Sequence, residues 1–153
     1  MPLGWLVVLL IANLFNVSSH EISYCELAQN PSVFSGNRIR VRAVYRYALE
    51  IQRLEAPACC SEPVPKIWVE IDATLEGTSR KLFHKFPKRE GLVLATFTGT
   101  FESGGTYGTF ADRHKFTIDQ IENVERIARS SRKQDDPSWV PKNCEGGCPQ
   151  YHF

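Results

Sequence analysis

Apolar and polar residues alternate along several short stretches of the chain, which is the pattern of half-buried β-strands. The apolar side of the clearest stretch, residues 38 to 47, consists of Ile39, Val41, Ala43, Tyr45 and Tyr47. Similar patterns predict strands at 50–54, 66–72 and 91–101, and a last strand that begins at 114–119. Gly99 predicts a bend or bulge in the long fourth stretch. The pattern therefore predicts five strands.

Two short helices are predicted, one before the first strand and one between the third and fourth strands. The segment Ser23-Tyr24-Cys25-Glu26 has the form of a capping box, in which the Ser hydroxyl and the Glu carboxylate satisfy free amides at a helix start. That helix should end by Asn30, because Pro31 disfavours helical backbone in the residue before it. Apolar residues at helical spacing predict a second helix at 79–86, which stops before Pro87.

The order of these elements indicates a fold. A helix between the third and fourth of five strands, with a glycine-bent long strand after it, is typical of the OB-fold. We therefore predict an all-β fold with one or two short helices, a small five-stranded OB-like Greek-key barrel, and a generic β-sandwich is the alternative. The glycines at 104–108 predict a flexible loop, and apolar residues at 118–127 recur every three residues, which leaves helix and strand open there.

The start of the chain predicts export. An apolar run from Leu3 to Phe15 precedes the small residues Val17-Ser18-Ser19, the arrangement that a signal peptidase reads. The run is shorter than the roughly 20 residues that cross a bilayer, so we expect no stable membrane insertion after cleavage. A buried N-terminal helix is the alternative. We predict a signal peptide at 1–19, the barrel at 20–127 and a polar, cysteine-containing tail at 128–153, in a secreted or periplasmic protein.

Several short motifs follow one another between residues 24 and 127. They are Cys25-Glu26-Leu27, Asn30-Pro31, Phe34-Ser35-Gly36, Ile39-Arg40-Val41-Arg42, Leu54, Cys59, Ile67-Trp68-Val69, Thr98-Gly99-Thr100-Phe101 and Tyr107-Gly108. In this order the chain resembles a family of uncharacterised secreted bacterial domains with an OB-like pattern. The resemblance implies an exported OB-like domain and no particular activity. Members often carry a His after the Tyr-Gly pair, whereas this chain has Thr109.

Cysteine usage fits an oxidising compartment, where disulfides form and persist. The five cysteines are Cys25, Cys59, Cys60, Cys144 and Cys148. The preferred pattern joins Cys25 to Cys59 or Cys60 and joins Cys144 to Cys148, which leaves one thiol over. A metal site made by the last two cysteines and His152 is the alternative, but its spacing matches no familiar zinc motif. We predict no metal and no cofactor.

The charged residues nearly balance, with 18 Lys and Arg against 17 Asp and Glu and a formal charge of +1. No global field attracts nucleic acid or anionic lipid. One local feature is an arginine stripe on the polar side of residues 38–47, formed by Arg38, Arg40, Arg42 and Arg46. Neighbours about 6.6 Å apart on a strand can track phosphates. The alternative is a salt-bridged face with carboxylates such as Glu50.

A second candidate site lies on the outer side of the predicted third strand. Trp68, Glu70 and Asp72 share that side, and Tyr107 lies in the loop predicted nearby. An exposed indole beside carboxylates can stack on a sugar ring and accept hydrogen bonds from its hydroxyls. Packing of Trp68 beneath the helix at 79–86 is the alternative.

Catalytic equipment is scarce in the sequence. The chain lacks the G-x-S-x-G, H-E-x-x-H and P-loop motifs. A hydrolase would have to use Glu70 and Asp72 as a carboxylate pair, or His114 as a base. We therefore expect no catalytic residues and predict an exported, non-enzymatic binding or interaction module for a glycan or cell-envelope component. A single-stranded nucleic-acid binder that uses the arginine stripe, or a hydrolase, is the alternative.

Overall fold

The structure is a computed structural model, and it describes residues 20–56 and 65–129. Several predictions fall on the remaining residues. These are the signal peptide at 1–19, the tail beyond residue 129, and Cys59, Cys60, Cys144, Cys148 and His152, all of which lie outside the described residues.

Short helices and strands alternate along the described residues. In chain order they are β1 (Glu21–Ser23), α1 (Tyr24–Gln29), α2 (Pro31–Phe34), β2 (Arg38–Tyr47), β3 (Gln52–Glu55), β4 (Ile67–Ile71), α3 (Gly77–Phe83), β5 (Gly91–Tyr107) and β6 (Asp112–Ala128). The prediction of a mostly β fold with few short helices is confirmed. The strand predicted at 38–47 has the predicted bounds, and the helix predicted at 79–86 begins two residues earlier and ends three residues earlier.

The first helix begins as its capping box predicts. The Ser23 hydroxyl accepts a hydrogen bond from the Glu26 amide at 3.0 Å, and the Asn30 amide closes the helix by donating to the Glu26 carbonyl. Two elements beside this helix were not predicted. The short strand β1 precedes it, and the one-turn helix α2 begins at Pro31, where proline's missing N–H is harmless.

One mixed sheet contains every strand of the described residues. Its order is β1-β2-β3-β4-β6-β5, and β2 also pairs with β5, so that the sheet partially closes into a ring. The pairs β1–β2 and β4–β6 are parallel, and the other pairs are antiparallel. The β1 strand lies beside Arg40–Arg42, whereas β3 lies beside the end of β2, Val44–Tyr47. Two short strands thus share one side of β2.

The long strand pair β5–β6 corrects one prediction and decides a point that the sequence left open. The glycine-rich segment at 104–108 is not a loop, because β5 continues to Tyr107 and the turn follows at 108–111. The segment at 118–127 is strand, and register shifts between β5 and β6 interrupt its two-residue alternation. The β5–β6 register shifts at Gly99, where an added Cβ would collide with the Thr117 carbonyl. Each extra residue reverses the inward side of the strand, so Ile118 and Ile121 are both buried.

Aromatic and branched side chains from β2, β4, β5 and β6 fill the core. Val41, Val69, Phe97, Phe101 and Phe116 are fully buried. The helix α3 attaches to β6 through Ser79, whose hydroxyl donates to the Ile121 carbonyl and accepts from the Ile121 amide. Among the described residues, no helix has both the length and the apolar character to cross a bilayer.

Candidate ligand-binding face

A row of side chains crosses four strands on the outside of the sheet. Strand register aligns Arg53 of β3 with Trp68 of β4, Trp68 with Lys115 of β6, and Lys115 with Glu102 of β5. Side chains at paired positions of neighbouring strands share a face. Of the four residues in the row, Trp68 alone was singled out from the sequence, and Arg53, Lys115 and Glu102 were not. We call this row, together with Glu70, Tyr107 and Phe110 beside it, the Trp68 face.

Lys115 holds three strands together on this face. Its Nζ atom lies 2.8 Å from Glu102 Oε2 and 3.6 Å from Glu70 Oε2. It also lies 5.2 Å from the centre of the Tyr107 ring, within cation–π distance. The hydrogen bond to Glu102 is the main cause of a raised pKa for Lys115. Glu70 and Tyr107, both predicted ligand residues, therefore lie around one permanently charged ammonium.

The indole of Trp68 lies against the β5–β6 turn. Gly108 has a φ of +65° and approaches the ring so closely that an added Cβ would collide with the indole carbons. Trp68 itself is half-buried. A left-handed glycine is needed at this position both for the backbone conformation and for the space that the indole occupies. The turn therefore covers part of the indole and leaves the remainder open to solvent.

A mostly buried ion pair fixes the same turn. Arg53 donates from Nε and Nη2 to the two carboxylate oxygens of Asp112, both at 2.9 Å. The Arg53 guanidinium carbon also lies 4.9 Å from the centre of the Phe110 ring, and Phe110 remains 50% exposed. No local pattern indicated this arrangement, since Arg53 and Asp112 are 59 positions apart. The exposed Phe110 ring adds a third aromatic side chain to the Trp68 face.

Asp72 has a different environment from the other predicted ligand residues. It follows β4, and its Oδ1 atom accepts hydrogen bonds from the Thr74 amide at 2.7 Å and the Thr74 hydroxyl at 2.6 Å. These bonds lower the pKa of Asp72. Its amide donates to the Ile118 carbonyl. The Asp72 carboxylate thus stabilises the turn after β4.

The arginine stripe contacts carboxylates along its whole length. The pairs are Arg38 with Asp119, Arg40 with Glu122 and Glu21, Arg42 with Glu125, and Arg46 with Glu55. Three of these arginines reach from β2 across β5 to acids on β6, and Thr96 and Thr98 of β5 are buried in the row between them. Asp119 also raises the pKa of Arg38 by accepting its hydrogen bonds. These contacts are those of a salt-bridged face.

His114, the candidate base of the hydrolase alternative, lies at the end of the core. Its Nδ1 atom is 3.0 Å from the Ser103 hydroxyl, and its ring stacks on Phe101 at 5.8 Å. Burial, and secondarily the charge of Arg113, lowers the pKa of His114, so the neutral imidazole is favoured. Within residues 20–56 and 65–129, no three His, Cys, Asp or Glu side chains are grouped as metal ligands.

Of the predicted disulfide cysteines, Cys25 alone is among the described residues. It is disulfide-bonded and half-buried in α1. Its partner lies outside the described residues, so the choice of Cys59 or Cys60 stays a prediction.

Comparisons with known proteins give little similarity. No protein-family model matches the chain, and no curated protein does. Among solved structures, the chain is similar to a putative aspartyl-tRNA synthetase from Leishmania major Friedlin, with 12% sequence identity and a TM-score of 0.40. The match covers 78% of this chain and 23% of that chain. This likeness carries no argument about fold or function.

Proposed function

We propose that this protein is an exported, non-enzymatic binding module with an OB-like Greek-key barrel that binds a glycan of the cell envelope on the Trp68 face. The strand ring supports the OB-like assignment. The order around it is β2, β3, β4, β6 and β5, and in the chain α3 lies between β4 and β5. The apolar run at Leu3–Phe15 and the disulfide of Cys25 support export.

The observation that carries the binding proposal is the convergence of aromatic rings and hydrogen-bonding groups on one face. Trp68, Tyr107 and Phe110 offer apolar ring surfaces of the kind that stack on the C–H faces of sugars. Glu70 and Lys115 lie among them and offer an acceptor and a donor for sugar hydroxyls. Rings that are already fixed by neighbouring contacts lose little conformational entropy on binding.

Charge balance favours a neutral polar ligand over a phosphate backbone. The Trp68 face carries two cations, Arg53 and Lys115, and both contact carboxylates. On the arginine stripe, phosphate binding would have to displace carboxylates that the guanidinium groups already contact. Affinity for single-stranded nucleic acid depends on free protein cations, which neutralise phosphates and release the counterions of the nucleic acid. A labelled oligonucleotide that binds with a steep salt dependence would therefore contradict the glycan proposal.

The test compares two variants of the full chain on a glycan array that includes soluble peptidoglycan fragments. Trp68→Ala should weaken binding of any retained glycan by at least about tenfold, because a central aromatic side chain carries a large share of such an interface's energy. Arg42→Gln, a change on the salt-bridged arginine stripe, should leave affinity unchanged. Circular dichroism verifies that both variants fold.

Two outcomes would contradict the proposal. One is that no glycan binds the unmodified protein, and the other is that Trp68→Ala and Arg42→Gln bind equally well. Export is tested separately by the intact mass of the protein recovered outside the cytoplasm, which should lack residues 1–19.

A further inference from the structure

A groove of about 490 Å³ lies at the Tyr47 end of β2, between the β2–β3 hairpin and the segment that follows α3. One wall comes from Tyr45, Tyr47 and the hairpin residue Leu49, and the other comes from Phe83 and Phe86. We call it the tyrosine groove. It shares no residue with the Trp68 face, and the sequence assigned no role to it.

The tyrosine wall is rigid before any ligand arrives. Tyr45 and Tyr47 stack with ring centres 4.9 Å apart and planes 23° apart. The Tyr47 hydroxyl donates to the Pro87 carbonyl at 2.6 Å, which ties the hairpin side of the groove to the opposite side. Tyr45 packs edge-on against Phe97 of the core. A groove whose rings are already held in place requires little reorganisation on binding.

The opposite wall is also aromatic. Phe83 and Phe86 meet edge to face with ring centres 5.6 Å apart. Leu49, which is 96% exposed at the hairpin tip, extends the apolar surface toward solvent. A flat apolar body placed between these walls would contact rings on both sides. The volume falls within the roughly 300 to 1,000 Å³ range of small-molecule sites.

The electrostatics of the groove favour an anion. Lys88, Arg89 and His84 contribute to its lining, and none of the described residues that line it is Asp or Glu. Burial raises the pKa of Tyr47 to about 12 and raises that of Tyr45 further, so both phenols stay neutral at physiological pH. The lining of the groove thus combines neutral tyrosine rings with cationic side chains.

We propose that the tyrosine groove binds a small amphiphilic anion, a compound with a flat apolar body and one acidic group. The body lies between the tyrosine and phenylalanine walls, and the acidic group lies beside Lys88 and Arg89. This site is independent of the glycan proposed for the Trp68 face, because the two share no residues. Failure of one proposal leaves the other standing.

The test uses 8-anilinonaphthalene-1-sulfonate as an anionic probe and uncharged N-phenyl-1-naphthylamine as its matched neutral probe. We expect the sulfonate to show saturable fluorescence enhancement with one site per chain. In the double variant Lys88→Gln, Arg89→Gln, sulfonate affinity should fall about fivefold, because two partly exposed charge contacts are lost. Affinity for the neutral probe should not change. Lys81→Gln, an exposed charge on α3 outside the groove, is the matched control.

A second variant tests the apolar part of the site. Leu49→Ser alters an exposed side chain, so it should not affect folding, and it should weaken both probes to a similar extent. The proposal is overturned if the sulfonate binds without saturation or at several sites. It is also overturned if the double variant and Lys81→Gln bind the sulfonate equally, or if Leu49→Ser changes neither probe.

Discussion

The arginine stripe and the Trp68 face are two outward surfaces of the same sheet, and both are rich in charge. On the stripe, each of the four arginines contacts a carboxylate, and three of them lie opposite threonines of β5. On the Trp68 face, Lys115 and Arg53 hold the turn and the strands while Trp68 and Phe110 stay partly exposed. The number of cations on a strand therefore does not show how many are free of carboxylate partners, because that depends on the residues of the neighbouring strands.

The largest expected contrast concerns Arg53 and Arg42, two paired arginines that differ in burial. The side chains of Arg53 and Asp112 are 12% and 5% exposed, whereas those of Arg42 and Glu125 are 36% and 53% exposed. Arg53→Met leaves a buried carboxylate without its counter-ion and should lower the free energy of unfolding by about 3 kcal/mol. Arg42→Met should lower it by less than about 1 kcal/mol. Urea unfolding measures both, and equal losses would remove the distinction between the two faces.

A smaller effect is expected at the β5–β6 turn. Gly108→Ala places a methyl group against the Trp68 indole and in a left-handed conformation, whereas Gly77→Ala meets the conformational cost alone, since nothing lies within 4 Å of its added Cβ. Both variants should lose about 1 kcal/mol for the backbone. Gly108→Ala should lose about 1 kcal/mol more through the displaced indole. Thermal unfolding compares them, and identical losses would mean that the indole moves freely.

The smallest effect concerns pH. Because the pKa of His114 is lowered in the folded protein, protonation stabilises the unfolded chain more than the folded one. The contribution of His114 is therefore complete above about pH 6.5, the unfolded value, and is lost as the pH falls through the folded pKa. His114→Gln should reduce the drop in Tm between pH 7.5 and pH 5.5 by a degree or two. An unchanged drop in the His114→Gln variant would assign the pH dependence to other groups.

Local patterns in the sequence predicted the elements that depend on local chemistry. The alternation at 38–47 and the Ser23–Glu26 cap are properties of neighbouring residues, and both are present in the structure. The register shift at Gly99 is not local, because it depends on how β5 and β6 align. It leaves the buried residues Ile118 and Ile121 three positions apart, and the pattern alone did not separate strand from helix there.

The candidate sites divide in the same way. Trp68 and Glu70 were found because they alternate on one strand, and Tyr107 because it follows a glycine-rich segment. Arg53, Phe110 and Lys115 were missed, since only the pairing of β3, β4 and β6 brings them together. The tyrosine groove was missed for a related reason. Tyr45 and Tyr47 were correctly placed on the inward side of the strand, but the sequence does not indicate that the core opens at that end.

The short strand β1 protects part of β2 from other molecules. Because β3 reaches only the end of β2, the backbone amides and carbonyls beside Arg40–Arg42 would face solvent without β1. Unpaired backbone groups at a sheet edge are templates for association between chains. Loss of the three residues Glu21–Ser23 would therefore leave this edge of the sheet unpaired, and the protein would be prone to self-association.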